Sequence, residues 1–289
     1  MKNVLKALCG AALLISFSAK AQIDKKLYAN LNFGYSLPLI SQPLGSSIVN
    51  NSNSNSNGVF TSKYETNFSR LGSGIHGGLV VGYAISNFVA VEVGANYTHT
   101  ATHKESVFKT SNNNVLRTDN EVDIRSSVVN IMPGLRFFNQ FGENEIFFRM
   151  APVFGITSIY LDRVDRDLGT TPRIVEQSFT LNGGLSYGIF ISGGYTRYIA
   201  KNLGISVELF SNLQNYSPRK LETTRYVVDG NNRLPDLKKS DREFTITNEA
   251  TFSSEDTPND NWPTKIAIDK SISYLLSGVG LQIGLHYKF

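Results

Sequence analysis

The sequence predicts an all-β chain closed into an antiparallel, up-and-down transmembrane β-barrel of eight strands. Three observations predict it. Eight segments alternate apolar with small polar residues, the period of two that a half-buried strand requires. The connections between them alternate short and long, which puts every long one on the same side. The polar faces consist mostly of Gly, Ser, Asn and Thr, not the Lys, Glu and Asp that a water-facing surface needs for solubility.

Taken in order, the chain begins with an export signal over residues 1–21. Lys2 and Lys6 give the positive start, LCGAALLISF the apolar centre, and Ala19-Lys20-Ala21 a small-x-small cleavage site, so the mature chain is expected to begin at Gln22. Cleavage removes Lys2, Lys6 and Lys20 and takes the formal net charge from +4 to +1. That balance gives no ground for a nucleic-acid partner. The single cysteine, Cys9, leaves with the signal, and disulfide or thiol chemistry leaves with it. No run of 18 apolar residues occurs, which excludes a transmembrane helix but not a barrel, whose signal is alternation.

The first strand runs from Leu27 to Leu37, with Leu31, Phe33 and Tyr35 on one face. The second, about Ile75 to Ile85, carries Leu79, Val81 and Tyr83 against His76, Gly78 and Gly82. Ser86-Asn87 turns it into the third, Phe88 to Thr98, where Val89, Val91 and Val93 oppose Glu92, Gly94 and Asn96. The fourth, about Asp123 to Phe137, and the fifth, Glu145 to Leu161, are joined by a turn over Asn139 to Asn144. The sixth centres on Leu185 to Ile191 and ends at Ala200; Lys201-Asn202 leads into the seventh, Leu203 to Leu213. The eighth, about Ser271 to Phe289, alternates Val279, Leu281, Ile283, Leu285, Tyr287 and Phe289 with Gly280, Gln282, Gly284, His286 and Lys288.

Residues 22–289 therefore form one barrel with four long loops, about 38–74, 100–122, 162–173 and 218–268, expected on the external side. The run NNSNSNSNG in the first loop cannot bury enough apolar area to order itself. Ile174 to Ala200 is about 85 Å of extended chain at ~3.3 Å per residue, too long for one crossing. Either it continues outside the membrane, or Asn182-Gly183-Gly184 is a turn and Glu243 to Phe252 supplies a partner, which makes ten strands. Alternation alone fits a soluble barrel as well as a membrane one, but small polar residues suit a crowded lumen and the apolar face then meets lipid. Tyr35, Phe88, Tyr97, Phe137, Phe148, Tyr160 and Tyr287 at strand ends match interfacial girdles.

Signal, eight strands, loop asymmetry and a terminal Phe289 together resemble the small eight-stranded outer-membrane barrel families: the OmpA transmembrane domain, OmpX, OmpW and the PorT-like barrels. The resemblance implies a Gram-negative outer-membrane location, contact with outer-membrane lipids and lipopolysaccharide, and insertion by the barrel-assembly machinery through the C-terminal strand, with Tyr287 and Phe289 as the signal. The chain ends at the barrel, so a cell-wall anchoring role is unsupported. The expected role is structural or surface interaction through the loops, with a narrow porin-like conduit or a subunit of a secretion or envelope machine as alternatives. The external ligand or partner is unknown.

No constellation of catalytic or metal-ligating residues stands out in the sequence. His76 and His286 fall on lumen faces as hydrogen-bonded filler. His99 and His103, in HTATH, lie on one face about 13 Å apart if the strand continues, too far to share a metal. No nucleophile and base pair singles itself out, and no cofactor or phosphate cradle is indicated, so the chain reads as no enzyme. Trp262, in EDTPNDNWP, either anchors a partner or packs within its own loop. One polar constellation remains. Glu92, Arg136, Arg149 and Glu208 point into the lumen at similar height near the short turns and are expected to form an ionic plug.

Overall fold

A computed structural model describes residues 27–39, 42–53, 60–112, 115–169, 171–247, 264–267 and 273–289. Eight long strands run through it: β1 (Leu27–Pro38), β2 (Gly74–Ala84), β3 (Val89–Thr100), β4 (Val115–Phe141), β5 (Asn144–Asp167), β6 (Leu185–Tyr198), β7 (Leu203–Tyr216) and β8 (Gly278–Lys288). Each pairs antiparallel with the next, and β8 returns to β1, so the ring closes without an edge. The ladder from Leu27 through Tyr83, Val91, Leu135, Met150, Ile191, Ser211 and Val279 comes back to β1 at Leu37, ten residues along. Such a stagger tilts the strands and sets an interior that side chains just fill. The fold is the eight-stranded antiparallel transmembrane barrel.

Its outer face is apolar. Leu31, Leu281 and Ile283 are 58–61% exposed, and Phe33, Leu79, Val93, Ile189 and Leu209 stand beside them in the same belt. A continuous apolar belt of this kind belongs in lipid, where closure leaves no edge strand free. The inner face holds buried Asn30, Asn130, Ser186, Ser192, Thr196 and Ser206.

Two strands exceed the barrel. Beyond it, β4 and β5 pair as far as Thr118 and Asp167 and carry a second sheet. Among the described residues its order is Phe60–Ser69, Gln42–Asn53, His103–Asn112, β4, β5, Arg173–Asn182, Lys220–Val228, Glu243–Thr247 and Thr264–Ala267. Much of what was expected as loop is therefore strand, including most of 100–122 and 218–228. Asn50–Asn53 also belong to a strand, while residues 54–58 of the low-complexity run, the signal over 1–21 and Trp262 lie outside the described residues.

Asn182-Gly183-Gly184 is not a turn. Leu181 pairs with Ile159 and Leu185 with Ile156, so three residues oppose two and the strand continues in the same direction. This is a β-bulge, with Gly183 at φ 83°, a left-handed conformation that glycine adopts without a Cβ clash. Among the described residues Glu243–Thr247 pairs with Lys220–Glu222 and Thr264–Ala267, in the outer sheet. The ten-strand alternative falls on both counts. The expected turn over Asn139 to Asn144 also contracts to Gly142-Glu143, with Gly142 at φ 62°.

Polarity inverts along β4 and β5. Inward residues pass from Arg136, Asn130 and Arg149 to Val128, Ile124 and Ile159, all buried. Outward residues pass from Phe137, Val129, Phe154 and Ile156 to Arg125, Asp123, Asp162 and Arg166. The exchange falls between the pair Val129–Ile156 and the pair Ser127–Ser158.

Candidate functional site: a filled lumen

The four lumen charges expected from the sequence come from β3, β4, β5 and β7, each about five or six residues inside a short turn. All are buried. Arg149 Nε lies 2.5 Å from Glu92 Oε2, and Arg149 Nη1 donates to both oxygens of Glu208, at 2.9 and 3.2 Å. Arg136 Nη1 is 3.7 Å from Glu92 Oε1. The structure brings the quartet together.

Its shape also depends on residues that the sequence reading left out. Glu145, at the start of β5, accepts from Arg136 Nη2 on Oε1 at 2.6 Å and from Tyr198 Oη on Oε2 at 2.7 Å, and Lys288 Nζ sits 3.3 Å from that same Oε2. Tyr28 Oη donates to Glu92 at 2.7 Å, and Gln282 donates to Glu208 at 2.6 Å. Ser192 also donates to Glu208. Three carboxylates thus face three cations, with Arg136 lying 4.0 Å over the Phe147 ring. A balanced, hydrogen-bonded set is the condition for holding charge away from water, since an unpaired ion there costs several kcal/mol. The missed members were visible as polar-face residues, but Glu145 and Lys288 sit beside turns, where exposure is the ordinary expectation.

Above this layer the filling becomes apolar. Met132, Ala151, Val153, Phe190 and Phe210 form a cluster across mid-lumen, with Phe190 and Phe210 stacked at 5.7 Å. His76 packs edge-on against Phe210 and shares a 2.8 Å hydrogen bond with Gln282. Next comes an amide layer, where Gln214 donates to Asn130 and Ser186, both at 2.7 Å. At the loop end Leu71, Ile124, Val128, Ile159, Leu181, Tyr216, Tyr274 and Leu276 make a second core. Leu71 and Leu276 are delivered by segments that cross the mouth, tied by Ser36 Oγ donating to Gly72 O at 2.8 Å and Leu276 N to Gln214 O at 2.9 Å.

Two small cavities of about 20 and 30 Å³ interrupt the filling, each with room for about one water. At the turn end a vestibule of about 890 Å³ opens beneath the ionic layer, lined by Ile85, Phe88, Arg136, Phe138, Gln140 and Lys288 among others.

The histidines take separate places. His286 stacks on Tyr28 at 4.9 Å, His99 contacts Ser127 Oγ at 3.1 Å on β4, and His103 contacts Ser73 Oγ at 2.9 Å. Burial and the neighbouring Arg70 hold the His103 imidazole below its ordinary pKa. Among the described residues no group of three or more His, Cys, Asp or Glu is placed to hold a metal ion.

Fold and lumen define the class: a small eight-stranded β-barrel of the outer-membrane type whose bore is occupied by its own side chains. No family model matches the sequence, and no curated protein does. Among solved structures the chain is similar to Ail, the attachment invasion locus protein of Yersinia pestis, at 10% identity over 92% of this chain and 100% of that one, TM-score 0.32. Ail in complex with the heparin analogue sucrose octasulfate aligns at 10% identity over 91% and 99%, TM-score 0.29. Acinetobacter baumannii CarO2 aligns at 8% identity over 90% and 99%, TM-score 0.31.

Proposed function

We propose that the chain is an exported barrel of a Gram-negative outer membrane that serves as a surface platform for interaction and conducts no solute. One observation carries this reading: among the described residues the lumen is filled in successive layers by charge pairs, apolar side chains and amides, interrupted by cavities of about 20 and 30 Å³. What the barrel does present is the outer sheet on β4 and β5. Its outward face carries Arg125 with Asp162, Arg166 with Asp119 and Arg225 with Glu176.

In this reading residues 1–21 are the signal, the long connections face outward, lipids and lipopolysaccharide surround the belt, and Tyr287 with Phe289 form the insertion signal for the assembly machinery. Planar-bilayer recording of the refolded chain is expected to show no unitary steps. Steady openings would transfer support to the conduit. On intact cells, protease is expected to cut within 218–268 before Ser86-Asn87, and the reverse order would invert the topology.

The turn-end vestibule favours one second reading, a subunit of an envelope machine, because a concavity of about 890 Å³ facing the periplasm offers a seat for a partner. Purification from native membranes with a stoichiometric partner, lost when Phe88 and Phe138 are changed to Ser, would establish it.

A further inference from the structure

The β4–β5 ladder has a gap at the middle of the belt. Ile131 pairs with Phe154 and Leu135 with Met150, but no pairing joins Met132, Pro133 and Gly134 to Ala151, Pro152 and Val153. The register is the same on both sides of the gap, so Pro133 stands opposite Pro152. In an antiparallel pair alternate positions exchange both hydrogen bonds, and loss of three successive pairings follows when the central position is one of these and neither residue has an N–H. The flanking ladders are unbroken, with Val93 against Pro133 and Ile189 against Pro152.

Proline in sheets is otherwise confined to edges and bulges. Two facing prolines in a closed barrel create an edge where the fold has none. They lie on the lipid side, both exposed, with Pro133 midway between Val129 and Phe137. One of the two inward pairs at the gap is small, Gly134 with Ala151, and the other is Met132 with Val153. A Cβ on Gly134 would come within 2.6 Å of Ala151 Cβ. Directly behind are Met132, Val153 and Phe190 of the apolar cluster, beside the 20 Å³ cavity.

We propose that the β4–β5 seam is a lateral port through which a single alkyl chain enters the mid-lumen apolar compartment from the bilayer. At this depth alkyl chains are the only species outside the wall, and the compartment offers them Met132, Val153, Phe190 and Phe210. Met132, unbranched and flexible, is the side chain that yields. The charged layer below and the amide layer above exclude a headgroup, so a chain enters and its polar end stays outside. The inference requires the barrel to sit in a bilayer and is independent of the surface-platform role, because the port opens sideways and leaves the axial closure intact.

The test uses the refolded chain in phosphatidylcholine vesicles doped with a phospholipid that carries a diazirine on one acyl chain, with adducts mapped by mass spectrometry. Wild type is expected to be labelled on inward Met132 and Phe190 as well as on outward Leu135 and Met150. Pro133→Val with Pro152→Val restores both missing donors and is expected to lose the inward adducts while keeping the outward ones. A heat-modifiable gel shift reports that the double variant is folded. A second arm uses a free alkyl diazirine. Inward labelling by the phospholipid identifies a lipid chain as occupant, and labelling by the free probe alone identifies a small hydrophobic solute; either supports the port. Wild-type adducts confined to outward residues with both probes, or inward adducts undiminished in the folded double variant, would overturn it. Bilayer conductance, read separately, decides the closed-lumen reading.

Discussion

The turn end of the lumen is filled with charge and the loop end, past a mid-lumen apolar cluster and an amide layer, with hydrocarbon, though the same two strands, β4 and β5, run through both. The difference follows from what surrounds each half. Within the bilayer an apolar side chain gains nothing by turning inward, because lipid is as apolar as any core. The polar residues go inside instead, as Arg136, Arg149 and Glu145 do. Above the Val129–Ile156 pair water replaces lipid, the hydrophobic effect returns, and Ile124, Ile159 and Leu181 turn inward beneath an outward face of Asp and Arg. One chain thus folds inside-out and then outside-out, and the point of exchange marks the membrane surface.

The largest expected effect breaks the ionic half. Arg149→Glu leaves four carboxylates facing two cations, and is expected to cost on the order of 3–5 kcal/mol or to prevent folding. Urea unfolding in vesicles measures it, and adding Glu92→Arg should recover part of the loss. No change in the single variant would mean that the charges do not interact. In the apolar half, Ile159→Ala, fully buried, is expected to cost about 2–5 kcal/mol by the cavity it leaves. A cost well below that range would show that the loop-end core is collapsible or already wet.

The inversion itself is sharpened by placing one residue type on either side of the exchange. Leu209→Arg, on the lipid face of β7, is expected to lose about 2–4 kcal/mol. Val164→Arg, outward on the β5 extension, should stay within about 0.5 kcal/mol, as surface changes do. Equal costs would place both positions in one medium. Arg225→Ala, which breaks an exposed pair with Glu176, is expected to cost at most about 1 kcal/mol, and less at high salt.

The smallest effect is a pH dependence at the mouth. The His103 pKa is depressed in the fold, so the neutral form is the one the fold holds. Its stabilising tie to Ser73 is present above the ordinary imidazole value near 6.5 and is lost as pH falls through the lower folded value. Hydrogen exchange at Ala101 N–H, which donates to Ser73 O at 3.2 Å, is expected to quicken on acidification. It should become independent of pH, after correction for intrinsic rates, in His103→Gln.

Most of the barrel was legible in the sequence because lipid on one side and a narrow lumen on the other impose alternation on every strand. The strand count, the exposed face and the meeting of Glu92, Arg136, Arg149 and Glu208 all follow from parity and distance to the turns. The extensions were not legible. Beyond the bilayer the inward Thr118 and Asn120 are as polar as the outward Asp119 and Glu121, so period two fades just where the strand goes on. Asn182-Gly183-Gly184 reads equally as turn or bulge, since both need the same left-handed glycine, and only the register decides. The aromatic lumen residues Phe147, Phe190 and Phe210 run against the expectation of a polar interior. The facing prolines lie 19 residues apart in the chain, and their opposition emerges only when β4 and β5 are aligned.

The pairing of β1 with β8, Tyr28 against Lys288, constrains how the molecule comes into being. Its first strand must wait for its last, because no other segment completes the hydrogen bonds of that edge. Vectorial synthesis from the ribosome therefore brings the ring no closer to closure until the final residues exist. A chain that lacks β8 would leave β1 and β7 each with an open ladder edge and nothing to pair against.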